Sequence, residues 1–327
     1  MILQFSRSVC CAAVVLLVIG ASTTTGFERG LRNTSPSCVH ELVYEPFAGL
    51  ILVSVTINGS PPLDFILDSG ATQSAINDPY LANFLGLKAR EAGLARGMGS
   101  GAMRVLIADD TSILSDGVEI LRGQLVVHDI SERLAALAGR EIDGFLGADL
   151  FSRYVVEIDP FGHRLLLHDP NTFDYRGPGE SLPLEVVDRR PVAAGTVRVE
   201  EGGREIPVRL LIDTGSGRYL NLITKSRRRL KPPPEQTLGA SVGVVGNTLV
   251  TISPVWRLRL GSSVVENVEA AWTEPFQVPA VRNIPDLNGI VGNQLLRRFR
   301  VFFDYRGGRL ILEPLSGSPY AVHGLSD

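Results

Sequence analysis

The chain has 327 residues, 44% of them hydrophobic and 20% charged, with a formal net charge of −3. That length fits two domains of about 150 residues, and the apolar fraction suffices for buried cores. The small net charge gives no electrostatic footprint for nucleic acid. The one basic cluster, Lys225 to Lys231, runs into three prolines and reads as a solvated loop.

At the N-terminus Arg7 precedes the apolar stretch Val9 to Ile19, and small and hydroxyl residues follow as far as Gly26. This is the pattern of an export signal, and the stretch is shorter than the about 20 apolar residues of a membrane span. Residues 1–26 are therefore expected to be a signal peptide, or else an uncleaved anchor built from residues 9–21. The protein is expected to be exported to a periplasm or the extracellular space, meeting a membrane only if that segment is retained. Its removal leaves Cys38 as the sole thiol, so no internal disulfide is expected.

A polar, turn-rich segment at 27–45 leads to the first ordered strand, expected near Pro46. Ile51, Val53, Val55 and Ile57 alternate with other residues, the period-two sign of a strand. Asn58 to Pro62 make a turn, and Leu63 to Leu67 return as a second strand that ends on Asp68. Asp78 and Pro79 can open a short helix, as cap and first residue. A glycine-rich segment follows at Gly97, Met98, Gly99, Ser100 and Gly101. Polar and turn residues gather from Asp169 to Pro183. Beyond them the order repeats: strand Thr196 to Glu200, turn, strand Ile206 to Ile212, then Asp213. Thr224 is a candidate cap for a second helix, and Gly243 to Gly246 form a second glycine-rich segment. Many short strands with Gly and Pro turns argue for an all-β protein.

The repetition is in register. Asp68-Ser69-Gly70 and Asp213-Thr214-Gly215 are 145 residues apart (213 − 68). Asp143 to Gly147 matches Asn288 to Gly292 at the same offset (288 − 143), as does the Asp159 hairpin to that at Asp304 (304 − 159). A fixed long period is read as an internal duplication. It gives two similar lobes with one carboxylate each: 46–170 with Asp68 and 184–315 with Asp213, joined by 171–183 and followed by a tail at 316–327.

With these motifs the chain resembles the two-lobed aspartic peptidases of the pepsin and retropepsin superfamily. Asp68-Ser69-Gly70-Ala71 is similar to the retropepsin form of the acidic loop, and Asp213-Thr214-Gly215-Ser216 to the pepsin form. Phe145-Leu146-Gly147 and Ile290-Val291-Gly292 match the apolar segments that cross behind those loops. The resemblance covers roughly residues 46–315 and implies the double-psi, pepsin-like acid protease fold, with a cleft between two lobes. It implies an endopeptidase with Asp68 and Asp213 as catalytic pair and Ser69, Gly70, Thr214, Gly215 and Ser216 supporting the loops. The segment Gly97 to Gly101 would be the covering flap, and it lacks the tyrosine that pepsin-like members carry there.

Two carboxylates held close cannot both ionise cheaply, so one keeps a proton while the other is charged. One can then take a proton from water and the other can give one to an amide. The expected substrate is a peptide or protein, the only cosubstrate water, and the expected state a monomer with no cofactor and no metal. The alternative is an inactive module of the same fold that binds extended peptides. The five histidines lack metal-ligand spacing and read as surface or turn residues. Trp256 and Trp272 read as core or lobe-contact residues, and Asp64, Asp109 and Asp110 as solvated.

Overall fold

Glycine and proline cut the chain into short apolar stretches that satisfy their backbones by pairing as strands. The computed structural model describes residues 38–95, 103–224, 230–243, 246–275, 282–315 and 323–324. All lie in one of the two units into which the chain divides, Ser35–Asp327.

The first half begins with β1 (Cys38–Phe47), β2 (Leu50–Ile57), β3 (Leu63–Leu67), β4 (Ala75–Ile76), α1 (Pro79–Phe84), β5 (Ala89–Ala95) and β6 (Met103–Ser115). It continues through β7 (Val118–His128), α2 (Ser131–Ala138), β8 (Gly144–Leu146), α3 (Ala148–Arg153), β9 (Val155–Asp159) and β10 (Arg164–His168). The second half holds β11 (Glu180–Val187), β12 (Arg190–Arg198), β13 (Ile206–Asp213), β14 (Leu220–Ile223), β15 (Thr237–Gly243), β16 (Gly246–Leu260) and β17 (Ser263–Thr273). Then come β18 (Gly289–Gly292), α4 (Asn293–Leu296), β19 (Phe299–Asp304), β20 (Arg309–Pro314) and β21 (His323–Gly324). The protein is all-β in class, its helices being short connectors.

The expected strands around Asp68 form as β2 and β3, and that before Asp213 as β13, while the strand expected at Thr196 to Glu200 is β12, which starts earlier, at Arg190, and ends at Arg198. Asp78 caps α1 by accepting from the Tyr80 N–H at 2.7 Å, with Pro79 in the first turn. One difference lies at the start. β1 begins at Cys38, eight residues before Pro46, because its first half pairs with β10 and its last residues with β2. Its polar residues face outward from that junction, so the apolar alternation is weak.

Six strands close into a ring in the first half. β2 pairs with β3, β3 runs parallel to β8, and β8 lies antiparallel to β4. β4 then runs parallel to β7, β7 pairs with β6, and β6 returns to β2. In the second half β12, β13, β18, β14, β17 and β16 pair in the same order and the same directions, closing through β12 and β16. A further sheet spans both halves in the order β1, β10, β9, β19, β20, β11. The halves are therefore hydrogen-bonded to each other along β9 and β19.

Because β2 and β3 are covered on both faces, their side chains enter two cores. Ile51, Val53 and Phe65 enter the large cluster that runs through both halves, while Leu52 and Ile66 join Phe145 in a smaller one. Phe151 and Phe303, both fully buried, meet edge to face at 5.1 Å and tie α3 to the spanning sheet. Such a pair adds about 0.5–1.5 kcal/mol beyond its buried area.

Candidate active site

β3 and β13 each run parallel to a short apolar strand, β8 and β18, and each delivers an aspartate where that pairing ends. The Asp68 N–H donates to the Leu146 carbonyl at 2.9 Å, and Asp213 lies opposite Gly292 in the β13–β18 register. The residues before β8 and β18 act alike: Asp143 accepts from the Asp64 N–H at 2.7 Å and Asn288 from the Arg209 N–H at 2.8 Å. The motif residues at 143–147 and 288–292 thus hold the strands that carry the two aspartates.

The loops are bound to each other. The Ser69 N–H donates to the Thr214 hydroxyl and the Thr214 N–H to the Ser69 hydroxyl, each at 3.0 Å. The Ser69 hydroxyl donates on to the Ile212 carbonyl at 2.7 Å, and that of Thr214 to the Leu67 carbonyl at 2.8 Å. Ser69 and Thr214 are fully buried, so these four bonds satisfy groups that water cannot reach.

Asp68 and Asp213 are hydrogen-bonded to each other through their carboxyls. The glycines permit this approach. A Cβ on Gly70 would lie 2.6 Å from the Asp213 carboxyl carbon, and one on Gly215 would collide with that of Asp68. Asp68 Oδ1 accepts from the Gly70 N–H at 2.8 Å and the Ala71 N–H at 3.0 Å, whereas Asp213 Oδ1 accepts from the Gly215 N–H at 2.9 Å. The Ser216 N–H instead reaches the backbone carbonyl of Asp213 at 3.3 Å, and the Ser216 carbonyl accepts from Asn293 at 2.7 Å.

Both side chains keep a partly accessible face, but lost hydration pushes both carboxyls above the ordinary carboxylate range. The Asp213 carboxyl is raised further, by the charge of Asp68 and by donating to it. Asp68 is held back by that same bond and by its two backbone donors. Of the two, the Asp213 carboxyl is therefore the more strongly raised.

Two further residues face the pair, and neither stood out in the sequence. Arg190, nearly buried at the start of β12, donates from Nε to the Gly70 carbonyl at 2.7 Å. The Tyr305 ring stacks on Phe151 at 5.6 Å, and its buried hydroxyl has no hydrogen-bond partner among the described residues. Burial, then the charges of Asp68 and Asp213, push the Tyr305 phenol far above its ordinary range. An arginine before a proline reads as a loop charge, and 145 residues earlier stands Glu45 (190 − 145), an exposed partner of Arg140. The period that exposes the aspartates therefore hides Arg190.

The candidate flap, Gly97, Met98, Gly99, Ser100 and Gly101, lies outside the described residues; its arms are β5 and β6, paired up to Ala95 and Met103. The helix expected after Thr224 also falls largely outside them, and Thr224 itself donates its N–H to the Thr273 carbonyl at 2.8 Å. His128 and His168 are corrections: the His128 imidazole is largely buried at the end of β7, and His168 is buried on β10, with Nε2 at 2.8 Å from Glu157 Oε2 on β9 and Phe173 against its ring. Antiparallel pairing with β9 turns His168 inward. Trp272 is buried and donates to the Ser253 carbonyl at 3.1 Å, while Trp256 is half-buried. Asp64 is partly exposed and paired with Arg140. Among the described residues no cluster of three or more His, Cys, Asp or Glu side chains is placed to hold a metal, and no helix is long and apolar enough to cross a membrane.

A cavity of about 470 Å³ opens elsewhere, between Tyr44 and Phe47 of β1, Phe161 and His163 of the β9–β10 turn, and Arg297. Neither aspartate lines it.

Residues 53–150 match the family model described as Aspartyl protease. The match spans β2 to α3 and includes Asp68-Ser69-Gly70, and it supports an aspartic peptidase family. A comparison with curated proteins found no match.

Proposed function

We propose that this protein is an aspartic endopeptidase in which Asp68 and Asp213 form the catalytic pair. The observation that carries the reading is the carboxyl–carboxyl hydrogen bond between two loops that anchor each other through Ser69 and Thr214. The two rings and the two aspartate loops represent lobes from an internal duplication, and an extended peptide binds in the cleft between them. The protein acts as an exported monomer, with no cofactor and water as cosubstrate.

In this mechanism the ionised Asp68 removes a proton from water as its oxygen attacks the scissile carbonyl carbon. Asp213 gives its proton to the carbonyl oxygen, leaving a neutral tetrahedral diol. The pair then reverses roles. Asp68, now protonated, delivers a proton to the amide nitrogen, Asp213 accepts one from a diol hydroxyl, and the carbon–nitrogen bond breaks. The pair ends with one proton, as it began.

The test is digestion of a diverse peptide mixture by the mature protein from pH 3 to 8, beside Asp68→Asn and Asp213→Asn. Cleavage by the parent and its loss in both folded variants is the expected result. Near-parental turnover in either variant refutes the pair. A folded parent that cleaves nothing, yet binds peptides equally well in both variants, would identify an inactive binding module.

A further inference from the structure

The β11–β12 hairpin turns through Asp188 and Arg189, whose φ angles are +50° and +63°. Two central residues in the left-handed region make the tight two-residue turn that suits antiparallel strands, at a conformational cost for residues other than glycine. The turn places Arg190 opposite Val187 and sends its side chain from the second half to the first aspartate loop. Its Nη1 pairs with Asp188 at 3.0 Å, and Asp188 also receives Asn283 Nδ2 at 3.5 Å. The guanidinium is thus held at both ends. Its acceptor, the carbonyl of Gly70, belongs to the residue whose Cα abuts the Asp213 carboxyl.

We propose that Arg190 is a positioning residue that fixes the Asp68 loop and supplies a standing positive charge beside the aspartate pair, so that the pH range in which the pair carries one proton depends on it. The catalytic consequence rests on the peptidase reading; the electrostatic claim does not. Among the described residues, Arg190 and Tyr305 are charged or titratable groups that face the pair, and Asp188, the pair itself and Tyr305 are among those that face Arg190. Tyr305 stays neutral at working pH, since its phenol lies far above its usual range. Among the described residues Arg190 is therefore the cation that opposes burial and mutual repulsion at this site. A fixed cation favours the ionised forms of both carboxyls, so both steps of the coupled titration lie lower with it than without it.

The experiment is a carbon-13 carboxyl NMR titration of aspartate-labelled protein, with the two steps of the pair assigned by their loss in Asp68→Asn and Asp213→Asn. In Arg190→Met both steps are expected to move up by about one pH unit or more. In Arg190→Lys, which keeps a charge but not the fork, they should stay closer to the parent's. A folded Arg190→Met whose steps remain at the parental pH overturns the proposal, since a purely structural arginine would change stability alone. Should Arg190→Met fail to fold, Arg190→Gln keeps a donor for the Gly70 carbonyl and must show the same upward shift, and parental steps there overturn the proposal equally. Peptide cleavage is read in parallel, and both limbs of its pH profile should follow the NMR steps. A parent that titrates as a coupled pair yet cleaves nothing would refute the peptidase reading, while the Arg190 comparison still decides this one.

Discussion

Ser69 and Thr214 exchange backbone-to-hydroxyl hydrogen bonds in both directions at 3.0 Å, across a sequence separation of 145 residues. Each hydroxyl then donates to a strand carbonyl of the opposite half. The geometry of the two carboxyls is therefore set by the loops' grip on each other.

Thr214→Val tests that grip. It orphans the Ser69 N–H and the Leu67 carbonyl where Ser69 and Thr214 are fully buried, at about 1–3 kcal/mol for each group. Thr214→Ser keeps the hydroxyl and should retain most of the stability. Denaturant unfolding of the three proteins checks this, and equal midpoints for parent and Thr214→Val would remove the grip from the account.

Gly215→Ala acts on the pair by contact alone. A Cβ there collides with the Asp68 carboxyl, whereas the β13 strand feeding the loop is untouched. The expected result is a loss of about 100-fold in kcat/KM, the effect of an ångström-scale misplacement, with an unfolding transition still cooperative. Parental kcat/KM would mean that the carboxyls need not touch.

The sequence made the pair legible because each landmark repeats at one offset, and the structure gives those landmarks matching tasks. Asp143 and Asn288 each accept a backbone N–H from the strand that carries an aspartate. Arg190 was illegible for the converse reason: its counterpart in register is Glu45, which does something else. His168 departs from the expectation because its partner, Glu157, comes from a neighbouring strand, a relationship that periodicity along one strand cannot express. β1 starts earlier than its sequence suggests because it divides between two sheets and its outward polar residues dilute the pattern.

The raised Asp213 carboxyl has a cost in stability with a definite sign. In the folded chain it holds its proton to a higher pH than in the unfolded chain. Above the ordinary carboxylate pKa the folded state thus binds more protons than the unfolded one, and unfolding free energy falls as pH rises through that interval. Asp213→Asn removes the ionisation, so the variant should gain on the parent as pH increases from the ordinary carboxylate value. Chemical unfolding of both proteins at several pH values checks this; a difference independent of pH would show that Asp213 is not held protonated.

His128 imposes the opposite slope. Burial pushes its imidazole down from 6.5 to about 4, and its Nδ1 has no hydrogen-bond partner among the described residues. The unfolded chain takes up this proton near the ordinary histidine value and the folded chain only near 4. Stability is therefore complete above that ordinary value and is lost as pH falls toward the lowered one, by roughly 3 kcal/mol in all. His128→Phe keeps a planar ring without the basic nitrogen. The difference in unfolding free energy between variant and parent should grow in the variant's favour on acidification, the other histidines cancelling because both proteins share them. A constant difference between pH 4 and 7 would exclude His128 as the source. Were it confirmed, the buried imidazole would limit how far into acid the protein stays folded, while the aspartate pair needs enough acidity to keep its one proton.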